Sequence, residues 1–173
     1  MAKTERELLE GLYALPSFPV VLVSVDKNIM AAAAFHFYSF KPPCVMVGIK
    51  PENLTFGLIS KKHEFCINLP TKEQIGIVRT CGSVSGRKED KFLKTGLTPQ
   101  KGKEIDSFFI KECPVNIECR VVHEVQFEGS HRWFIGEIQS VHIDKDYTRD
   151  KALMYWLTDY RSVGEVLLKI KRK

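Results

Sequence analysis

Long apolar runs are missing from this sequence, and none approaches the length a helix needs to cross a bilayer. An export leader is also not expected. The opening residues, Met1-Ala2-Lys3-Thr4-Glu5-Arg6-Glu7, are too charged to lead into a signal-peptide core. Both absences give the expectation of a cytoplasmic chain without membrane contact. Cysteine is sparse and unpatterned: Cys44, Cys66, Cys81, Cys113 and Cys119 are odd in number, and no pair has CxxC spacing. Free buried thiols are therefore expected, not a disulfide framework, and Cys44 and Cys66, inside apolar runs, read as small core residues. The histidines have no ligand spacing, which argues against a dedicated metal site. Charge of one sign does not dominate either: 26 basic and 21 acidic residues are interspersed and leave +5. That excess is first a statement about solubility. Only the end, Lys169-Ile170-Lys171-Arg172-Lys173, is concentrated, and it reads as a solvated tail.

What is present describes one ordinary domain over residues 1–173, 44% apolar and 27% charged, with no repeat, linker or low-complexity stretch. Thr4 to Leu12 predicts a short helix, with Thr4 and Glu7 in capping-box spacing and Leu8, Leu9 and Leu12 on one face. After Pro16 and Pro19, Phe18 to Val25 predicts a strand closed by a turn at Asp26-Lys27-Asn28. Ile29 to Phe40 fits helix or strand by periodicity; between turn signals it is assigned as a strand, with Phe35, Phe37, Tyr38 and Phe40 in the core. Cys44 to Ile49 and Glu64 to Leu69 are further strands. Asn53 to Ser60, capped by Asn53, and Lys72 to Arg79 are short helices, and Cys81 to Lys91 is a polar loop. Val115 to Val125 and Trp133 to Ile143 alternate as paired antiparallel strands around Glu128-Gly129-Ser130-His131. A helix is expected after Tyr160-Arg161-Ser162-Val163-Gly164. Many strands with a few short helices predict a mainly β, Greek-key-like barrel.

No GxSxG, HExxH, Walker loop or strand-borne GxGxxG occurs. An enzyme built on this chain would leave its chemistry to a bound cofactor. Three segments have the composition of an anion site. Lys50-Pro51-Glu52-Asn53-Leu54-Thr55 flanks a helix start with a cation and a hydroxyl, although a plain helix cap uses the same residues. Cys81-Gly82-Ser83-Val84-Ser85-Gly86-Arg87-Lys88-Glu89-Asp90-Lys91-Phe92 joins glycines, serines and three cations, which suits a phosphate and equally an exposed loop. Gly129-Ser130-His131-Arg132-Trp133 sets a His and an Arg beside a Trp, where a solvated turn histidine is the simpler reading. The run Ala31-Ala32-Ala33-Ala34, taken as a strand, leaves its main chain open to close approach by a flat ring.

Taken in order, Asn28-Ile29-Met30-Ala31, Ser39-Phe40-Lys41-Pro42-Pro43, Lys50…Thr55 and Phe65-Cys66-Ile67-Asn68 resemble the flavin reductase-like, FMN-binding split-barrel family. Cys81-Gly82…Ser85-Gly86…Asp90-Lys91-Phe92, Cys113-Pro114, Glu118-Cys119 and Gly129-Ser130-His131 leading into Phe134-Ile135-Gly136-Glu137-Ile138 resemble its flavoredoxin branch. The resemblance implies a split barrel that binds FMN and works as a homodimer with the cofactor near the interface. It implies cofactor contacts from Asn28, Met30, Ala31, Ala32, Ala33, Ala34, Thr55, Lys91 and His131. Thr55 and Lys91 would serve the phosphate, with Lys50 and Asn53 beside it and Ser39, Ser85, Gly86 and Asp90 as further candidates. The chain departs from the family's pattern at Ala31, Ala33 and Ala34, where relatives often carry polar side chains or Trp. His36 likewise replaces a small polar residue.

The expected activity is an FMN oxidoreductase in which His131 stands near the reacting ring as the catalytic candidate. NAD(P)H is one candidate donor and a redox protein another; the acceptor, a small molecule or a protein, is not indicated. Two alternatives stand beside it. One is a reductase that releases reduced flavin to a monooxygenase. The other is a non-enzymatic barrel binding module, such as a small basic barrel for single-stranded nucleic acid. Such barrels need aromatic platforms beside a cationic groove, whereas Phe35, Phe37, Tyr38 and Phe40 cluster in an apolar strand and read as core, so no nucleic-acid partner is expected.

Overall fold

The computed structural model describes residues 3–169. In chain order they form helix α1 (Glu10–Tyr13), strands β1 (Phe18–Pro19), β2 (Val21–Val25), β3 (Asn28–Ala32), β4 (Phe35–Phe40) and β5 (Pro43–Ile49), helix α2 (Leu54–Lys62) and strand β6 (Glu64–Leu69). A 3₁₀ turn (Lys72–Gln74) leads into α3 (Ile75–Ser83), followed by α4 (Lys91–Thr95), β7 (Pro99–Lys101) and β8 (Phe108–Ile110). The long strands β9 (Val115–Val125) and β10 (Arg132–Ile143) come next, then a 3₁₀ turn (Arg149–Lys151) and the hairpin of β11 (Leu153–Trp156) and β12 (Asp159–Ser162).

Seven strands make an antiparallel sheet in the order β3-β2-β6-β9-β10-β5-β4, and β1-β11-β12 and β7-β8 form two small sheets beside it. This is a split β-barrel with a few short helices. Its centre is the β9–β10 pair, whose alternating residues run in register from Trp133↔Val125 to Ile143↔Val115 with two irregularities. Strand β2 is buried on both faces. Val21, Val23 and Val25 meet Val47, Ile49, Phe65 and Phe134 inside the barrel, while Leu22 packs with Ile29, Val78, Phe92 and Ile110 under α3 and α4. Each such side chain contributes about 1.5–3 kcal/mol through the area it removes from water. The second core fixes α3 and α4 against β3, and so builds one wall of the site described below.

Several elements differ from the sequence expectation. The first helix is only Glu10–Tyr13, and residues 3–7 have no regular structure. Leu8 is 94% exposed, so the leucine face has nothing in this chain to cover, and a helix this short does not hold by propensity alone. Phe18–Val25 divides between two sheets as β1 and β2. Ile29–Phe40 also divides, into β3 and β4, because the chain bends at Ala33-Ala34. The Ala33 carbonyl accepts the Phe35 N–H (2.9 Å) and the Ala34 carbonyl the Gly48 N–H (2.7 Å). The bend carries the chain from one edge of the seven-stranded sheet to the other. Strand β4 is consequently an edge, and Phe37, Tyr38 and Phe40 are exposed instead of core. Cys81 lies in the last turn of α3, not in a loop, and all five cysteines are free and buried. The expected terminal helix is not formed: Asp159–Ser162 is a strand and 163–169 has no regular structure, while the end of the basic tail, 170–173, lies outside the described residues. Among the described residues no helix is long and apolar enough to cross a membrane.

Candidate functional site

The turn out of β2, the start of α2 and the segment joining α3 to α4 converge on one cleft of about 240 Å³. Asn28, the first residue of β3, is buried at its floor. Its amide Nδ2 donates to the Thr55 hydroxyl (2.8 Å), itself buried in the first turn of α2. The other end of the same amide, Oδ1, has no hydrogen-bond partner. A buried polar atom left without a partner costs about 1–3 kcal/mol, so native folds seldom leave one unmet. Asn68 shows how this chain treats a buried amide elsewhere. Its Nδ2 donates to the Leu22 carbonyl (2.8 Å) and Ser24 Oγ (2.9 Å), and its Oδ1 accepts from Ile110 N–H (2.9 Å) and Asn116 Nδ2 (2.9 Å).

Gly86 closes over Asn28. A Cβ at position 86 would lie 2.0 Å from Asn28 Oδ1, so only glycine lets the main chain approach the amide this nearly. Ser85 and Arg87 flank it. Ser85 Oγ accepts the Arg87 N–H (3.3 Å), and the Arg87 guanidinium donates to the Glu52 carbonyl (2.9 Å), which ties this segment to the entry of α2.

Lys91, the first residue of α4, reaches back into the cleft and is only 5% exposed. Its ammonium donates to the Cys81 carbonyl (2.8 Å) in the last turn of α3, the end of a helix that favours a cation. That contact uses one of the three N–H donors of an ammonium. No carboxylate among the described residues forms a salt bridge with it or lines the cleft. Burial holds the Lys91 ammonium below its ordinary pKa, and the neighbouring Cys81 thiol acts weakly the other way. Burial pushes the Cys81 thiol up to about 11, against the pull of Lys91, so it stands as a neutral wall and not as a nucleophile.

The start of α2 adds to the positive side. Asn53 occupies the cap position with extended backbone, but its side chain makes no cap bond and donates to Met30 Sδ instead (3.4 Å). The first-turn N–H groups of α2 therefore lack the side-chain acceptor the sequence suggested. A helix start, a buried ammonium with donors to spare and a glycine-lined main chain make an arrangement that favours an anion.

Of the residues expected from sequence, the cleft brings together Asn28, Met30, Ala31, Asn53, Thr55, Ser85, Gly86 and Lys91. Others lie elsewhere. Ala32 points into the barrel core and Ala34 packs at the bend against Gly48. Ala33 lines an adjoining hollow. Ser39, on edge strand β4, accepts the Lys41 N–H (3.2 Å). Asp90 caps α4 by accepting the Leu93 N–H (3.2 Å) and lines a neighbouring groove that shares Asn28, Gly86, Arg87 and Lys91 with the cleft. Lys50 and His131 form a separate pair where β5 ends and β10 begins, since Arg132 pairs with Ile49. Burial holds the His131 imidazole below its usual pKa; Lys50 adds to that effect and Glu52 opposes it. His36 is exposed. Arg87 is the lining residue that the sequence reading counted as a cation but did not single out. Its distinguishing contact, the Glu52 carbonyl 35 residues away, has no local signature.

The flavin reductase like domain model matches residues 13–164. A protein of Archaeoglobus fulgidus is 39% identical over 134 residues, covering 78% of this chain and 75% of its own. Among solved structures, the flavoredoxin of Desulfovibrio vulgaris (Miyazaki F) superposes with a TM-score of 0.83 at 30% identity over 96% of this chain and 97% of that one. The flavoredoxin of Methanosarcina acetivorans does so with 0.85 at 26% identity, over 98% and 95%. With the fold and nearly nine tenths of the chain in agreement, this protein belongs to the flavin reductase-like family.

Proposed function

We propose that the protein is an FMN-binding oxidoreductase of the flavoredoxin type, and that the cleft holds the phosphate end of the cofactor. The observation that carries this is the pairing of two unmet groups. The Lys91 ammonium keeps donors without a carboxylate, and the buried Asn28 amide oxygen keeps an acceptor site without a donor, both at one cleft. A ribityl phosphate offers the matching groups: an oxyanion for Lys91, Arg87 and the N–H groups of α2, and hydroxyl donors for Asn28 Oδ1. The residues present thus fit the group. Bound FMN supplies reversible acceptance of a hydride or of electrons, which this chain's side chains do not provide.

The polypeptide's own tasks are positioning and exclusion. Lys91 and Arg87 balance phosphate charge, and Thr55 fixes the Asn28 amide beneath Gly86. Ala31 and Ala33 keep low the wall between the cleft and the hollow beside it. His131, held neutral near pH 7 by burial and Lys50, is suited to donate or accept one hydrogen bond without adding charge. Electron donors consistent with this arrangement are NAD(P)H or a redox protein.

We further propose that the working form is a homodimer. Phe37, Tyr38 and Phe40 on edge strand β4, and Leu8, Leu9, Leu12, Leu167 and Leu168 on the terminal arms, are exposed apolar groups of the kind a second copy covers.

The deciding experiment is a visible spectrum of the purified protein, before and after FMN and then anaerobic NADH. A two-banded flavin spectrum that survives desalting and bleaches with NADH supports the reading and names the donor. A bound flavin that ignores NADH redirects the donor to a protein. Flavin that bleaches but washes away favours release of reduced flavin to a monooxygenase. A protein that takes up no FMN overturns the reading.

A further inference from the structure

A second hollow of about 420 Å³ adjoins the cleft and shares Ala31, Gly82 and Ser83 with it. Ala31 and Ala33 line its floor, with the main chain of Ala32 between them. Its far wall is the β11–β12 hairpin, where Tyr155 and Tyr160 pair across the strands with ring centroids 4.6 Å apart. Arg79, on the exposed side of α3, supplies the one charge that lines it.

Three features distinguish this hollow from an ordinary surface dip. Arg79 forms no salt bridge among the described residues, and no carboxylate lines the space it faces. The Tyr155 phenol donates to the Leu157 carbonyl, whereas among the described residues no such bond holds the Tyr160 hydroxyl. Burial and Tyr155 push the Tyr160 phenol up, and Arg79 is near enough for its charge to work against them. A guanidinium and a phenol without partners among the described residues thus line one volume. Its remaining walls are the Tyr155 ring, the alanines and Val20, with Gly82, Ser83 and Thr158 at its rim. One cation and no anion select a single negative charge. A dinucleotide or phosphate finds more positive charge in the cleft beside Lys91 and Arg87. The small residues of the floor and the tilted phenol pair leave room for a planar ring.

We propose that this hollow binds a small planar monocarboxylate, with its carboxylate on Arg79 and the Tyr160 hydroxyl and its conjugated ring against the phenol pair and the alanine floor. That such an acid is the protein's redox partner rests on the flavin reading; the binding site itself does not.

Benzoate and its neutral counterpart benzamide, titrated calorimetrically into FMN-loaded protein and into the FMN-free chain, test it. The expected result is that benzoate binds about tenfold more tightly than benzamide, as one charge-assisted contact provides. Arg79→Gln should remove that preference and leave FMN affinity within about twofold. The substitution lies on an exposed helix face, so folding is not at stake. Equal binding of the two probes overturns the proposal, as does no benzoate binding up to about 10 mM or a preference that survives Arg79→Gln. Arg79→Gln weakening FMN in parallel would also overturn it and assign the guanidinium to the flavin. A chain that takes up no FMN fails the flavin reading alone, because the FMN-free titration still decides the hollow.

Discussion

Replacing Lys91 with methionine keeps most of the side-chain volume and removes the charge, and two separate consequences can be worked out for it. In the ligand-free protein the ammonium caps α3 through the Cys81 carbonyl. Its loss costs about 1 kcal/mol as a helix-end contact, offset in part because a buried charge no longer has to be desolvated. For a chain of this length 1 kcal/mol corresponds to about 2–4 °C in Tm. In the complex the lost contact is a charge-assisted hydrogen bond to phosphate, about 1.5–3 kcal/mol, or roughly 10- to 150-fold in Kd. Riboflavin separates the two, because it carries the ring and ribityl chain without the phosphate. Fluorescence titrations of FMN and riboflavin into wild type and Lys91→Met complete a thermodynamic cycle. The expected result is a loss of at least about tenfold for FMN with riboflavin nearly unchanged. Equal weakening of both ligands would show that Lys91 only shapes the cleft, and unchanged FMN binding would refute its role altogether.

Three further substitutions probe the rest of the cleft. Gly86→Ala puts a Cβ where 2.0 Å separates it from Asn28 Oδ1, so the segment must move; a loss of about 1–3 kcal/mol by denaturant titration and much weaker FMN binding are expected. Thr55→Val leaves Asn28 Nδ2 without its acceptor and should cost about 1–3 kcal/mol, which Thr55→Ser should largely restore in the same melt. Lys50→Gln should raise the His131 pKa, read by NMR titration of the imidazole. Because the folded value lies below the ordinary 6.5, the unfolded chain binds more protons between the two. Stability therefore rises with pH across that window, and the variant should flatten the rise.

The paired strands β9 and β10 and strand β6 were legible because alternation and turn signals set both their type and their ends. The cleft was legible only in pieces. Thr55 and Lys91 stood in anion-suited segments, but what joins them is the second core, which packs α3 and α4 beneath β3 and has no local mark in the sequence. Strands β7 and β8 escaped notice for a similar reason. Their connecting loop is held by the buried Glu118 carboxylate, which accepts N–H groups from Lys103 (3.0 Å), Glu104 (2.8 Å) and Ile105 (3.2 Å). The β11–β12 hairpin turns at Leu157 with φ +52°, a position where composition suggests neither glycine nor asparagine. The first helix failed in the opposite sense: its pattern was present, and the surface it should cover was not.

The four alanines have a physical reason that reading them as a bare platform for a flat ring leaves out. Ala31 meets α3 where that helix carries Gly82; a Cβ added there would lie 3.4 Å from the Ala31 methyl. Ala34 meets β5 at Gly48, where an added Cβ would stand 3.1 Å from the Ala34 methyl and 3.1 Å from the Trp133 ring, while Gly48 N–H bonds the Ala34 carbonyl. Ala32 fills the barrel core. Polar side chains or Trp at 31 or 34 would push α3 or β5 outward, so the small residues follow from how closely those two elements approach the bend. Alanine at 31 thus lets the cleft and the hollow share a wall, and a larger residue there would separate them. The departure from the family's polar pattern is in that sense a change in the shape of the site rather than a loss of it.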